Sequence, residues 1–174
     1  MFTIRQANSS DSLAIAKVQL VSWSAAYGEL LPSAYIKEQD SLAAKVEMWQ
    51  KVIAHPEAST WVAQDKNDED CEHGVGFISC FNKDSEWEIT TLYILPDYQG
   101  QGIGSKLMNS ALDHILAANS RAKLYLWVLA TNVKASSFYQ QHGFVASAHS
   151  SEEWYEGSKI VDIKMVRSMP DRES

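Results

Sequence analysis

The amino-acid sequence predicts a single mixed α/β domain in which helices pack on one central sheet. The chain has 174 residues, 45% of them hydrophobic, which is enough for one domain with its own core. Short apolar runs typical of strands alternate along it with amphipathic helical stretches. A glycine-rich turn stands between a strand and the longest of those helices. We therefore expect one domain over residues 1–167 and a flexible tail over 168–174.

The first half of the chain predicts a strand, two helices and a hairpin. A short strand over 2–6 precedes the first helix, and Pro32 ends that helical region. A second helix is expected to continue to about Ile53. Two strands, over 60–64 and 74–81, then form a hairpin around the polar, acidic segment DKNDEDCEHG.

The second half begins with a strand over 87–95 that Pro96 ends. A helix over 103–118 has the clearest pattern in the chain, because its apolar residues recur on one helical face. The remaining elements are a buried strand over 124–129, a helix that runs from a cap at Asn132 to Gly143, and a final hairpin of strands over 144–150 and 159–166.

The turn between strand and helix reads Gln99-Gly100-Gln101-Gly102-Ile103-Gly104. Glycines let the backbone approach a ligand closely, and the helix that follows offers unpaired N–H groups and a positive dipole end. Such a loop binds phosphate. It is not a P-loop, since Gly104 is followed by Ser-Lys in the wrong order. Its glycine spacing and the missing downstream acid also argue against a Rossmann NAD site, which stays a rival that NAD binding would revive.

The segment LYILPDYQGQGIGSKL, residues 92–107, resembles motif A of the GNAT superfamily of N-acetyltransferases, whose signature is [Arg/Gln]-x-x-Gly-x-[Gly/Ala]. The segment NVKASSFYQQHGF, residues 132–144, resembles its motif B. The resemblance covers residues 1–167. It implies a mostly antiparallel twisted sheet, splayed between its fourth and fifth strands and flanked by about four helices. It also implies direct transfer of an acetyl group from acetyl-CoA to a primary amine in a ternary complex.

The resemblance assigns the cofactor contacts. Backbone groups of Leu92, Tyr93 and Ile94 should pair with the pantetheine arm as an added strand does. Asn132 should bond that arm, although a helix cap explains it equally well, and core packing is the stronger explanation for Phe138. The expected acetyl-CoA residues are Leu92, Tyr93, Ile94, Gln99, Gly100, Gln101, Gly102, Ile103, Gly104, Ser105, Asn132 and Phe138.

Two catalytic roles follow from the resemblance and from the chemistry of amine attack on a thioester. Tyr139 occupies the general-acid position, where a phenol donates to the leaving sulfur. Its plain alternative is a half-buried helix tyrosine. Glu88 is our choice of base, with Glu86 or water in reserve, and a solvated edge carboxylate is the alternative. Strand alternation predicts Glu88 on the same face as Leu92 and Ile94.

The acceptor is expected to be a small cationic amine. Trp23 and Tyr27, with Tyr35, fall where the family builds its acceptor pocket, and aromatic rings can receive a cation. Enzymes of the family that acetylate protein N-termini carry a glutamate at the position of Trp127, so this chain departs from them there. A protein-lysine or N-terminal acetyltransferase and a non-catalytic acyl-CoA sensor remain alternatives.

Composition bounds the surroundings and partners. The net charge of −7 argues against broad nucleic-acid binding. The N-terminus resembles no secretion signal, no apolar run could span a membrane, and the two cysteines, Cys71 and Cys80, suggest a reducing cytoplasm. They show no metal-ligand spacing, so we expect no metal. A homodimer is possible.

Overall fold

The computed structural model describes residues 1–66, 74–84 and 86–168. Most of the acidic segment, with Cys71, and the tail beyond Ser168 lie outside the described residues. The elements in chain order are β1 (Phe2–Gln6), α1 (Ser12–Tyr27), α2 (Ser33–Glu38), α3 (Leu42–Ala54), β2 (Ala58–Asp65), β3 (Gly76–Lys83), β4 (Glu86–Ile94), α4 (Ile103–Ala118), β5 (Lys123–Leu129), α5 (Val133–Gln141), β6 (Val145–Tyr155) and β7 (Ser158–Ser168).

The seven strands form one open sheet in the order β1-β2-β3-β4-β5-β7-β6. Every neighbouring pair is antiparallel except β4 and β5, which are parallel. Those two strands pair only from Glu86 to Glu88 against Lys123 to Tyr125. Beyond that short ladder they separate, as the expected splayed sheet requires. The predicted mixed α/β class is confirmed.

Two hydrophobic clusters hold helices on the two faces of the sheet. The α4 helix has the predicted bounds and packs on one face through the predicted positions, which are Ile103, Leu107, Met108, Ala111, Leu112 and Ile115. On the other face, α1 and α3 pack on Val62 and Phe77. There the indole of Trp49 donates a buried hydrogen bond of 2.7 Å to the amide oxygen of Gln19. Helices therefore pack on both faces of the sheet.

The single helix predicted between Pro32 and Ile53 is wrong, because the chain forms α2 and α3 there. Ser41 takes an extended conformation, and its hydroxyl accepts a hydrogen bond of 3.3 Å from the backbone N–H of Ala44. A serine in this role starts a new helix rather than continuing the old one. The periodicity of apolar residues survives the break, which is why sequence pattern alone joined the two.

The alternation predicted for β4 is also wrong. The register against β3 shifts beside Thr90, which is left without a cross-strand partner. Such a bulge inserts one residue and reverses the alternation beyond it. Ile89, Leu92 and Ile94 therefore all pack against the α4 cluster, and Glu88 lies on the opposite face of the sheet.

No helix in the described part of the chain is long and apolar enough to cross a membrane.

Candidate active site

The separation of β4 from β5 creates a cleft at the centre of the sheet. Beyond Glu88 the edge of β4 that faces β5 forms no ladder with it, while the other edge stays paired with β3. The side chains of Leu92 and Ile94 pack in the core, and the ring of Tyr93 contacts Phe77 on the other face. The side chains of this segment can therefore form core while its backbone is available to pair with a ligand, because backbone groups at a free edge need hydrogen-bonding partners.

The glycine-rich turn lies at the end of this cleft and leads into α4. Gly100 and Gly102 adopt left-handed conformations with φ of 76° and 77°, and the space beside each of them is open. The first intrahelical hydrogen bond runs from the N–H of Lys106 to the carbonyl of Gly102. The N–H groups of Ile103, Gly104 and Ser105 precede it and have no intrahelical acceptor. Together with the helix dipole, they form a site suited to an anion.

Phe138 of α5 packs against the same turn. A Cβ atom added at Gly104 would lie 3.3 Å from the Phe138 ring. Phe138 also stacks on His142 at 4.3 Å and joins the α4 cluster. The expected proximity of Phe138 to the cofactor loop and its packing role therefore occur together.

Side chains of the turn hold its shape. The amide nitrogen of Gln99 donates to the carbonyl of Ile94 at 3.1 Å, and that of Gln101 donates to the carbonyl of Asp97 at 3.2 Å. Lys134, in the first turn of α5, donates to the amide oxygen of Gln99 at 2.7 Å. Sequence reasoning missed Lys134 as a site residue, although its place two residues after Asn132 was a usable signal.

Three tyrosines from three different elements meet beside the cleft. Burial raises the pKa of Tyr139 on α5, and the charge of Tyr27, at the end of α1, adds to the effect. Burial also raises the pKa of Tyr93 on β4, and the nearby phenols of Tyr27 and Tyr139 add to the effect. A raised pKa keeps a phenol protonated at neutral pH, so Tyr139 is suited to donate a proton and not to accept one.

Asn132 serves as a helix cap and also reaches this group. Its side-chain oxygen accepts a hydrogen bond of 3.2 Å from the N–H of Ala135. Burial raises the pKa of the nearby Tyr27 phenol, and the side chains of Tyr93 and Asn132 act against that rise. Asn132, which follows β5, therefore lies near the end of α1.

Glu88 lies at the closed end of the cleft, where β4 and β5 are still paired. Its carboxylate accepts a hydrogen bond of 3.0 Å from the hydroxyl of Tyr125. The ammonium of Lys164 stands 4.1 Å from the centre of that tyrosine ring. Glu86 is exposed at the start of the strand. Of the two, Glu88 has the more defined surroundings.

An aromatic strip runs from the tyrosines toward the β6–β7 hairpin; it consists of Trp23, Tyr27, Tyr35 and Tyr155. Successive ring centres are 5.1 Å apart from Trp23 to Tyr27, 6.2 Å from Trp23 to Tyr35 and 5.0 Å from Tyr35 to Tyr155. The strip confirms that Trp23 and Tyr27 lie close together, as the sequence analysis assumed in grouping them.

Carboxylates border the aromatic strip. The hydroxyl of Tyr35 donates to Glu153 at 3.3 Å, and that of Tyr155 donates to Glu38 at 2.7 Å. A third acid, Asp162 on β7, acts electrostatically on the phenols of Tyr27 and Tyr35. Sequence reasoning missed Tyr155 and all three acids, because their proximity to α1 depends on long-range packing. This wall is suited to a cation, and the glycine turn is suited to an anion.

Comparison with known proteins identifies the family. The family model described as "Acetyltransferase (GNAT) family" matches residues 22–144. A spermidine N(1)-acetyltransferase of Vibrio cholerae is 33% identical over 89 residues, which are 51% of this chain and 50% of that protein. An uncharacterized N-acetyltransferase of Archaeoglobus fulgidus is 42% identical over 72 residues, 37% of this chain and 48% of that one. The chain thus spans about half the length of each of these two relatives.

Among solved structures, that of PaiA N-acetyltransferase from Thermoplasma acidophilum in complex with coenzyme A superimposes with a TM-score of 0.76. The match covers 97% of this chain and 99% of that one, at 21% identity. At this identity the likeness shows that the two share a fold.

Proposed function

Because the chain belongs to the acetyltransferase (GNAT) family, we propose that it transfers an acetyl group from acetyl-CoA to a primary amine. The observation that carries this proposal is the cleft between β4 and β5, which has the glycine turn at one end and Tyr139 beside it. An elongated ligand fits these features: its phosphate end at the glycine turn, its amide-bearing arm in the cleft and its thioester beside Tyr139.

The chain's own groups supply the binding energy. The free N–H groups at the start of α4 hold the pyrophosphate, and the free edge of Leu92, Tyr93 and Ile94 pairs with the pantetheine amides. The open space beside Gly100 and Gly102 supports this assignment, since a side chain there would fill the cradle. Gln99, Gln101, Ile103, Gly104, Ser105, Asn132 and Phe138 complete the cofactor site.

In the reaction, the amine nitrogen bonds to the acetyl carbon while the carbon–sulfur bond breaks. Tyr139 donates its phenol proton to the leaving sulfur and recovers a proton from solvent. Glu88 takes one proton of the attacking ammonium through water, with Glu86 as the reserve carboxylate, and the second proton that the nitrogen loses passes to the solvent that reprotonates Tyr139. Most of the acceleration then comes from holding the two reactants together in a ternary complex.

The acceptor is a small cationic amine that lies along Trp23 and Tyr27. The aromatic strip with its bordering carboxylates supports a cation there, and neutral or acidic acceptors have no matching charge. The similarity to a spermidine N(1)-acetyltransferase favours the same class. Acetylation of neutral or acidic amines alone, in a screen of acceptors, would overturn this part of the proposal.

The first test is calorimetric titration with acetyl-CoA and, as the control, NAD. We expect acetyl-CoA to bind and NAD not to bind; absence of acetyl-CoA binding in folded protein would refute the cofactor site. Thiol release is then measured with a panel of amines. Tyr139→Phe should retain acetyl-CoA binding and lose on the order of 100-fold in turnover. A protein that binds acetyl-CoA but acetylates no amine would instead be an acyl-CoA sensor.

A further inference from the structure

We propose that Asp162 binds the ammonium group of the acceptor and thereby selects cationic amines. This inference rests on the proposed function and assigns the acceptor side of that site to a residue far away in the sequence.

The sheet positions Asp162 beside the open part of the cleft. It pairs directly with Leu129, the last residue of β5, where β5 has separated from β4. Its neighbours Ile163 and Met165 pack into the α4 cluster. Since successive side chains of a strand alternate between faces, Asp162 points to the other face, where α1 lies. That face also carries Tyr93.

The surroundings of Asp162 favour a positively charged ligand. Its charge acts on the phenols of Tyr27 and Tyr35, which belong to the aromatic strip. Burial, and then the charge of Glu153, raise the pKa of the Asp162 carboxyl. Both effects disfavour the charged form of the Asp162 carboxyl when it stands alone, and a cation paired with it offsets both. Aromatic rings beside the carboxylate add cation–π attraction.

The other acids near the cleft already have hydrogen-bonding partners. Glu153 accepts from Tyr35, Glu38 from Tyr155 and Glu88 from Tyr125. Within the described ranges, Asp162 forms neither a side-chain hydrogen bond nor an ion pair. It is therefore the carboxylate that remains available to an incoming ammonium group.

The experiment compares Asp162→Asn with a control that removes the same charge elsewhere on the hairpin. Glu152 pairs with Lys159 at 2.7 Å and, by strand alternation, lies on the opposite face of the sheet from Asp162. Spermidine is titrated onto each variant saturated with coenzyme A, and its KM is measured in the acetyl-transfer assay. We expect Asp162→Asn to weaken spermidine binding and raise its KM by about 10-fold or more, as loss of a charged pair does.

Glu152→Gln should change either quantity by less than about twofold, and Asp162→Glu should recover much of the loss, because it restores the charge. Acetyl-CoA affinity and melting temperature, measured for every variant, should stay at the wild-type values. Equal spermidine affinities for Asp162→Asn and Glu152→Gln would overturn the inference. If binding depends on Asp162 but no amine is acetylated, the inference stands and the proposed function fails.

Discussion

Replacement of Gly102 by alanine tests the cofactor site most directly. Gly102 precedes α4 with φ at 77°, a conformation that costs an L-residue about 1–2 kcal/mol. Nothing lies within 4 Å of the added methyl group, so the folded chain suffers the backbone strain without a steric clash. A loss of this size leaves a domain of ordinary stability almost fully folded at 25 °C. Any change in ligand affinity is therefore a property of the site.

The binding cost arises when phosphate occupies that open space. A methyl group there pushes the anion away from the N–H groups that begin α4. Loss of one hydrogen bond to a charged group costs about 1.5–3 kcal/mol, which corresponds to roughly a 10- to 100-fold weaker Kd. Calorimetric titration with acetyl-CoA measures the affinity, and urea unfolding measures the stability.

Gly157 provides the matched control. It lies in the turn between β6 and β7 with φ at 81°, and it too has open space beside it. Gly157→Ala should lose about the same 1–2 kcal/mol of stability and keep the wild-type Kd for acetyl-CoA. Equal affinities for the two alanine variants, with equal losses of stability, would show that the glycine turn does not hold the phosphates.

Three further results are expected. Trp49→Phe leaves the buried amide of Gln19 without its 2.7 Å donor and should lower the free energy of unfolding by about 1–3 kcal/mol in urea titration. The hydrogen bonds from Arg5 lower the pKa of Asp11 in the folded protein. The pair therefore stabilises the fold fully above the unfolded pKa of about 4, and this stabilisation is lost as the pH falls through the lowered pKa. Asp11→Asn should make the free energy of unfolding depend less on pH in that range. Burial raises the pKa of Cys80 to about 12, so peptide mass spectrometry should find it unlabelled by iodoacetamide at pH 8 until the protein is denatured.

Local sequence signals were sufficient to predict the bounds of an element wherever that element's own residues determine its structure. The bounds of α4 follow from an uninterrupted apolar face behind a glycine turn, and both were readable. The β4 strand shows the limit: its bulge at Thr90 depends on pairing with β3, and no pattern within β4 reveals it. The predicted face of Glu88 was wrong for that reason alone.

The same distinction separates the two halves of the candidate site. Most of the proposed cofactor side lies within residues 92–105, where neighbours in the sequence are neighbours in space, and α5 adds Asn132 and Phe138. The acceptor side joins α1, α2 and the β6–β7 hairpin, and the contact of Tyr155 with Glu38 exists only because the sheet order returns β7 to β5. The family resemblance pointed to Trp23 and Tyr27 as acceptor residues, a prediction that stays open, and nothing in the sequence pointed to Asp162.

The parallel pairing of β4 and β5 explains why both halves meet. A parallel pair held only at its first rungs lets the strands diverge, and the free edge of β4 then requires hydrogen-bonding partners. The α1 helix lies on one face of the sheet, and α4 and α5 stand on the other face. One ligand can therefore enter between the helices and the other along the aromatic strip. In the proposed reaction their reactive ends meet beside Tyr139, so the gap in the sheet is the feature on which that proposal depends.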